Sequence, residues 1–534
     1  MKLHIPANTP VRKMNRHWQF CVGGCHAKMV LRTDYVRQLK FVHDTLGIEY
    51  IRFHGLFNDD MDTMASLADI MPFPGAEKFS ERNFHKIGVV FDNILEIGMK
   101  PFVELGFMPK RLASGEEQCA FFYRGNITPP KDYDAWEDYI RSFIRFLQHR
   151  YGEEEIRTWF FEVWNEPDLQ HIFFSGSQQD YFELYAHTAR AVKSVDPKLR
   201  VGGPATSGSK WVAAFVRYCQ ENAVPVDFVT THQYAGDPLG GVEDQGGPDV
   251  QEGFAAAGST DGMQSMISGL MARLQNAGDT SFLGGIRAFM PDKSELEDIP
   301  NDLFRKNAAI VKEQAQGLPV YYTEWNENAT FSAYTNDTRK TASYIVKAAL
   351  DVEQSVTASS IWCFSDLFEE FHVFQQQFHG GFGMLTLDGI PKPSYYAVKL
   401  LNQTGEDRLQ LPENATDGEI GAAAFRGNGG TQLLLFCQKM KNLDLPKEEA
   451  EISIELPAAP DRVTVQKIDE ENGNPLAYWK VMGEPLEMNR AELQALAENS
   501  TMPETELPYI YENGVLVLRA ALGVNDVWLI KIEE

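Results

Sequence analysis

The sequence predicts an α/β fold, a (β/α)8 TIM barrel with an accessory β-sandwich domain. Three observations carry this. Between about residues 17 and 400, eight short β-rich runs alternate with longer amphipathic ones. The β-rich runs are nearly continuously apolar, as strands are when a parallel sheet is covered on both faces. No GxGxxG or phosphate loop follows an early run, which argues against the rival doubly wound open sheet.

The elements follow in order. Strand one is predicted in 18-WQFCVG-23, strand two in 48-IEYIRFHG-55, strand three in 100-KPFVELGF-107 and strand four in 157-RTWFFEVWNEP-167. Strand five lies in 200-RVGGPA-205, six in 226-VDFVTTHQY-234, seven in 319-PVYYTEWN-326 and eight in 357-TASSIWCFSD-366. Between them, residues 34–46, 84–98, 134–152, 179–195, 210–223, 302–316 and 338–354 carry apolar residues every three to four positions. That spacing puts one apolar face of a helix against a sheet. The barrel is read as residues 14–402, with a divergent Gly/Asp-rich insertion at 236–300, where 240-GGVEDQGGPD-249 reads as loop. From 403 to 534 short alternating runs replace the helices, among them 451-EISIEL-456, 462-RVTVQKI-468 and 527-VWLIKI-532, which predict the sandwich. Residues 1–13 are a candidate addition to it, with MKLHI as a further strand.

Composition narrows the function classes. The chain has 534 residues, 43% hydrophobic and 12% aromatic, enough for a large core. Its net charge of −26 repels nucleic acid and anionic membranes, so neither is an expected partner, whereas a neutral substrate meets no such barrier. No run approaches the roughly 20 apolar residues of a spanning helix. The N-terminal residues have no apolar core of signal-peptide length, so a reduced cytoplasmic protein is expected. The six cysteines lack paired CxxC spacing, and no structural zinc is expected.

Barrel chemistry sits where strands end and βα loops begin. Strand two ends in His54, strand four in Trp164-Asn165-Glu166, strand six in His232 and Tyr234, and strand seven in Glu324-Trp325-Asn326. Strand eight ends in Trp362, followed by Asp366, Glu369 and Glu370. No Lys or Arg stands at these tips. Carboxylates at the ends of strands four and seven face each other across the barrel mouth. That pair suits glycoside cleavage: one carboxyl protonates the leaving oxygen, and the other attacks the anomeric carbon. A separation of about 5 Å gives retention and roughly 6.5–9.5 Å inversion. Trp164, Trp325 and Trp362 are candidates for stacking on a sugar, with rim packing the competing reading for the first two. Glu104 reads as support for the barrel wall, Glu162 as interior. Two rivals remain at this point: a metal-dependent sugar isomerase or lyase using Glu104, Glu166, His232 and Glu324 as ligands, and a non-catalytic sugar-binding protein.

These residues resemble glycoside hydrolase family 39, its bacterial β-xylosidases above all. The likeness runs through 49-EYIRFHGLFNDDM-61, 101-PFVELGFMPKRLASG-115, 155-EIRTWFFEVWNEPDL-169, 224-VPVDFVTTHQY-234, 322-YTEWN-326, 362-WCFSDLFEEF-371 and 391-PKPSYYAVKLL-401, and on into the tail. The resemblance implies a retaining exo-hydrolase that releases xylose from short xylo-oligosaccharides. Glu166 matches the general acid/base and Glu324 the nucleophile. Asn165 matches the residue that bonds the sugar 2-hydroxyl, and His54, His232, Tyr234, Trp362, Glu369 and Glu370 match sugar-binding positions. It implies no metal or organic cofactor, and a homo-oligomer, tetramer or dimer. Residues 236–300 depart from the family pattern, as do Ile361 and Cys363 beside Trp362, which leaves the sugar less fixed than the mechanism. The alternatives are α-L-arabinosidase, β-glucosidase, β-galactosidase and α-L-iduronidase.

Overall fold

A computed structural model describes the chain except residues 120, 236–277, 290–298, 372, 412–418, 428 and 442–443. Most of the 236–300 insertion therefore lies outside the described residues, save a short helix, Phe282–Phe289.

Eight parallel strands close a barrel: β1 (Cys21–His26), β2 (Tyr50–His54), β3 (Lys100–Leu105), β4 (Phe160–Val163), β5 (Arg200–Thr206), β6 (Phe228–Tyr234), β7 (Val320–Asn326) and β8 (Ala358–Ile361). Each pairs with its neighbours in chain order, and β8 pairs with β1. The expected helices surround it: α1 (Thr33–Leu46), α2 (His85–Glu96), α3 (Tyr133–Tyr151), α4 (Gln178–Val195), α5 (Val212–Glu221), α6 (Leu303–Gln314) and α7 (Arg339–Val352). The eighth, α8 (Pro393–Asn402), starts on a proline whose fixed φ and missing N–H suit a first helical turn.

Side chains alternate along a strand, so the lumen is filled in layers. The lowest layer is aromatic: Tyr50, Phe102, Phe160, Phe228 and Tyr321 meet around Phe20, with Phe102 and Phe160 stacked at 5.2 Å. This plug closes the N-terminal end. Two residues further along three of these strands stand Arg52, Glu104 and Glu162, all inside the barrel and at most 1% exposed. The next step reaches the mouth.

The second domain is a two-sheet sandwich. A four-stranded sheet runs Lys2–Ile5, Glu448–Glu455, Val515–Leu522, Tyr509–Glu512. A seven-stranded sheet includes Arg462–Ile468, Val527–Glu533, Gly430–Phe436 and Gly421–Gly427 and ends on Val11–Lys13. The N-terminal residues thus enter both sheets, Leu3 opposite Ile452 and Arg12 opposite Arg408. Leu433, Leu435, Ile452, Ile454, Leu516, Leu518 and Ile530 fill the space between the sheets. Two helices, Pro475–Val481 and Arg490–Asn499, interrupt the sandwich where only strands were expected. The barrel and sandwich are tied by Glu353, which accepts from Arg12 (2.9 Å) and Arg408 (2.6 Å). All six cysteines are free and buried.

Candidate active site

The end of β4 supplies two groups to the mouth because the chain kinks there. Trp164 and Glu166 have φ of 72° and 41°, the left-handed region that costs a non-glycine residue about 1–3 kcal/mol and clusters at functional sites. The kink breaks the strict alternation, so the consecutive Asn165 and Glu166 both face the lumen. Trp164 is turned into the wall, its Nε1 donating to Phe173 O at 2.8 Å.

β7 uses a bulge for the same end. Thr231 of β6 pairs with Tyr322 and His232 with Glu324, so Thr323 is the extra residue. Thr323 and Glu324 therefore both reach inward, Thr323 to Glu162 (2.8 Å) and Glu324 to Arg52. Trp325 is thrown outward against Phe304 (5.6 Å) and donates to Ser359 Oγ at 3.0 Å. Trp164 and Trp325 are both fully buried core, which resolves them as packing and not as a sugar platform. Trp362 does line the cavity, its ring centre 4.9 Å from that of His54.

Arg52 organises the site, and the sequence reading passed over it. Its guanidinium donates to Glu162 (2.5 Å), Glu324 Oε1 (2.7 Å) and Asn165 Oδ1 (2.9 Å), and lies 3.1 Å from Glu104. A fully buried cation is tolerable only with such partners. The signal was present in YIRFH, where a charge interrupts an apolar strand. Strand tips alone do not reveal it, because Arg52 lies mid-strand, below the tip, and reaches the site from underneath.

The remaining residues gather around Glu324 and Glu166. Tyr234 OH donates to Glu324 Oε2 at 2.7 Å, and His232 Nδ1 lies 2.9 Å from Glu166 Oε1 and 3.8 Å from Glu324. His54 Nδ1 lies 2.7 Å from Glu104, and its Nε2 3.4 Å from Glu324 and 3.9 Å from Glu370. A cavity of about 140 Å³ is bounded by His54, Asn165, Glu166, Tyr234, Glu324, Trp362 and Glu370, with Phe121, Leu169, Ile172, Phe173 and Phe382 as its apolar wall. Asn165 Nδ2 has no partner among the described residues. His232 stands fully buried behind Glu166. Glu369 does not join the group. Consecutive side chains of a turn diverge; Glu370 reaches the cavity, while Glu369 lies partly exposed, 3.8 Å from Arg32, with its backbone N–H on Cys25 Sγ. A larger cavity, about 240 Å³, lies elsewhere, between the barrel and the sandwich, and holds none of these residues.

Burial sets the protonation states. It pushes the Glu104 and Glu370 carboxyls well above the usual range, although Arg52 pulls Glu104 back and neighbouring carboxylates raise Glu370 further. Burial lowers His54 to about 3 and His232 well below its ordinary value, so both imidazoles are neutral near pH 7. Tyr234 is driven well above 10 by burial and by the charge of Glu324, which keeps its hydroxyl a donor. Acceptor-rich and poor in cations, such a pocket suits a neutral polyol and disfavours an anionic sugar.

One oxygen each of Glu166 and Glu324 and a nitrogen of His232 lie within 4.8 Å of one another, close enough to hold a divalent ion. Arg52 opposes that use. Its fixed charge 2.7 Å from Glu324 already balances the carboxylate and would repel a second cation.

The sequence profile described as Glycosyl hydrolases family 39 matches residues 1–243 and 289–514. A β-xylosidase of Caldicellulosiruptor saccharolyticus is 37% identical over 510 residues, covering 95% of this chain and 93% of that one. A β-xylosidase of Geobacillus stearothermophilus is 34% identical over 547 residues, covering 100% and 95%. The crystal structure of a monomeric β-xylosidase from Caulobacter crescentus CB15 superposes with a TM-score of 0.77 at 29% identity, over 100% of this chain and 99% of that one. The chain belongs to family 39 of the glycosyl hydrolases.

Proposed function

We propose that the chain is a retaining exo-β-xylosidase that cleaves xylose from short xylo-oligosaccharides. The observation that carries this reading is the separation of Glu166 and Glu324, whose facing atoms lie within 4.8 Å. That leaves no room for a water between Glu324 and the anomeric carbon, and matches the roughly 5 Å of double displacement.

Glu324 attacks C1 of the sugar while Glu166 protonates the departing glycosidic oxygen. A covalent xylosyl ester forms, and the aglycone leaves as an alcohol. Glu166, now a carboxylate, takes a proton from water as that water attacks C1 and breaks the ester, restoring both groups. Arg52 and Tyr234 hold one oxygen of Glu324 each, so the nucleophile enters the reaction already oriented. Asn165 Oδ1 is committed to Arg52, which aims the unpartnered Nδ2 at the sugar 2-hydroxyl. His54 and Glu370 supply polar contacts to the outer hydroxyls, and Trp362 a ring face. Pentose is supported by the two β-xylosidase relatives and by the small cavity, and a uronide is disfavoured because the site's cation, Arg52, is already taken by Glu162, Glu324 and Asn165. The tetramer or dimer is not general to the structural relatives, since the Caulobacter protein is monomeric.

Glu324→Gly tests the reading. With azide, it should regain activity on an activated aryl β-xyloside and yield the α-xylosyl azide, because azide occupies the face the nucleophile left. A β-azide, or full activity without azide, would remove Glu324 from the role.

A further inference from the structure

We infer that the 240 Å³ cavity between the barrel and the sandwich binds a phosphate-class oxyanion. It lies outside the catalytic mouth and does not depend on the xylosidase reading.

Its walls come from both domains. The barrel gives Thr335, Thr338, Arg339 and Lys340 at the start of α7; the sandwich gives Lys480 and Asn525. Three of these are cations, and among the described residues no carboxylate lines the cavity, in a chain whose net charge is −26. Two of the cations are partly neutralised from behind: Arg339 Nη1 by Asp526, and Lys340 by Glu327 at 3.1 Å. Lys480 is different. Its ammonium lies 4.9 Å from the centre of the Tyr334 ring and donates to the Tyr334 hydroxyl, and it meets no carboxylate among the described residues.

Asn525 gives a second, independent indication. It is 5% exposed, and its Oδ1 is taken by Ser343 Oγ (2.8 Å) and the Lys439 N–H (2.9 Å). Its amide NH2 has no partner among the described residues, although the side chain lines the cavity. No described protein group takes this donor, so it is free to meet a ligand oxygen in the cavity. The wall therefore presents lysine, guanidinium and amide donors with no opposing carboxylate. The complement is a ligand made of acceptors with negative charge, which describes a phosphate dianion or the phosphoryl group of a sugar phosphate. Because its donors belong to two domains, a bound oxyanion ties the domains together and raises the stability of the folded chain.

The test is calorimetric titration of the full chain with sodium phosphate at constant ionic strength, with thermal unfolding measured in parallel. Wild type should bind one phosphate per chain, with a dissociation constant on the order of 1 mM or tighter. Its unfolding midpoint should rise more than in matched chloride. Lys480→Met removes an exposed side chain, so folding is preserved, and should weaken binding about tenfold or more. Lys480→Arg should keep it. Glucose 6-phosphate, titrated alongside, separates the sources: affinity tenfold above phosphate identifies a phosphorylated sugar, and equal affinity identifies free phosphate. No saturable binding, or equal binding by wild type and Lys480→Met, would overturn the site.

Discussion

Replacing Tyr234 by Phe tests how Glu324, the proposed nucleophile, is held. Tyr234 is 4% exposed, its ring packs among Cys25, Phe331 and Trp362, and only the hydroxyl contacts Glu324, at 2.7 Å. The substitution keeps the ring and deletes one hydrogen bond to a carboxylate. A bond of that kind is worth about 1.5–3 kcal/mol, which converts to a loss of about 10- to 150-fold in rate. Arg52 still grips Oε1, so Glu324 stays in place and the loss remains partial. The deficit should appear in kcat/KM for aryl β-xylosides and grow as the leaving group worsens, because attack by Glu324 then limits the rate. The thermal unfolding midpoint should stay near wild type, since the ring packing is intact. A Tyr234→Phe enzyme within twofold of wild type in kcat/KM would show that the hydroxyl does not position the nucleophile. A collapse of the unfolding midpoint would instead assign Tyr234 to the scaffold.

Three further outcomes follow from the geometry. Glu166→Ala should lose about 10²–10⁴-fold on xylobiose, but far less of its glycosylation rate on a xyloside with a strongly acidic phenol leaving group, which needs no proton; equal losses on both would remove Glu166 as the acid. His17 is buried between Ser359 Oγ (2.7 Å) and Ala349 O (2.9 Å), and burial lowers it to about 4 from about 6.5 in the unfolded chain. The unfolded chain therefore binds the extra proton, and stability falls as pH drops from about 6.5 to about 4. Glu104 and Glu370, kept protonated by burial, act in the opposite sense above about 4.5, so the contrast between wild type and His17→Gln isolates the histidine. That variant should flatten the dependence of unfolding free energy on pH by up to about 1.4 kcal/mol per pH unit in this window, and an unchanged slope would contradict the buried neutral imidazole. Lys392, fully buried, donates to Asp337 (2.7 Å), Asp366 (3.0 Å) and Gly381 O (2.8 Å). Lys392→Met should cost about 3–5 kcal/mol in denaturant unfolding, because two carboxylates lose their cation; a cost below about 1 kcal/mol would refute the network.

Much of the barrel was legible because burial on both faces of a parallel sheet demands runs such as FVEL and FFEV, while helices covering it need a 3.6-residue stripe. Those are local patterns, and a chain carries them before it folds. Asn165-Glu166 and Glu324 were legible for a related reason: polar groups at the ends of apolar strands need a purpose or a partner.

What the sequence could not decide depends on rotation and register. Alternation alone would send one of Thr323 and Glu324 inward; the bulge against β6 sends both. Alternation likewise cannot seat Asn165 and Glu166 together, which takes the left-handed backbone at Trp164 and Glu166. Of the adjacent Glu369 and Glu370, packing turns only the second to the cavity. Arg52 lies 272 positions from Glu324 in the chain and 2.7 Å from it in the fold. Composition and period therefore determined which segments pair and which carboxylates stand at the mouth. The closed barrel decided which side chains share its lumen, and so which charge holds Glu324, because distances across the barrel exist only once the sheet has closed on itself.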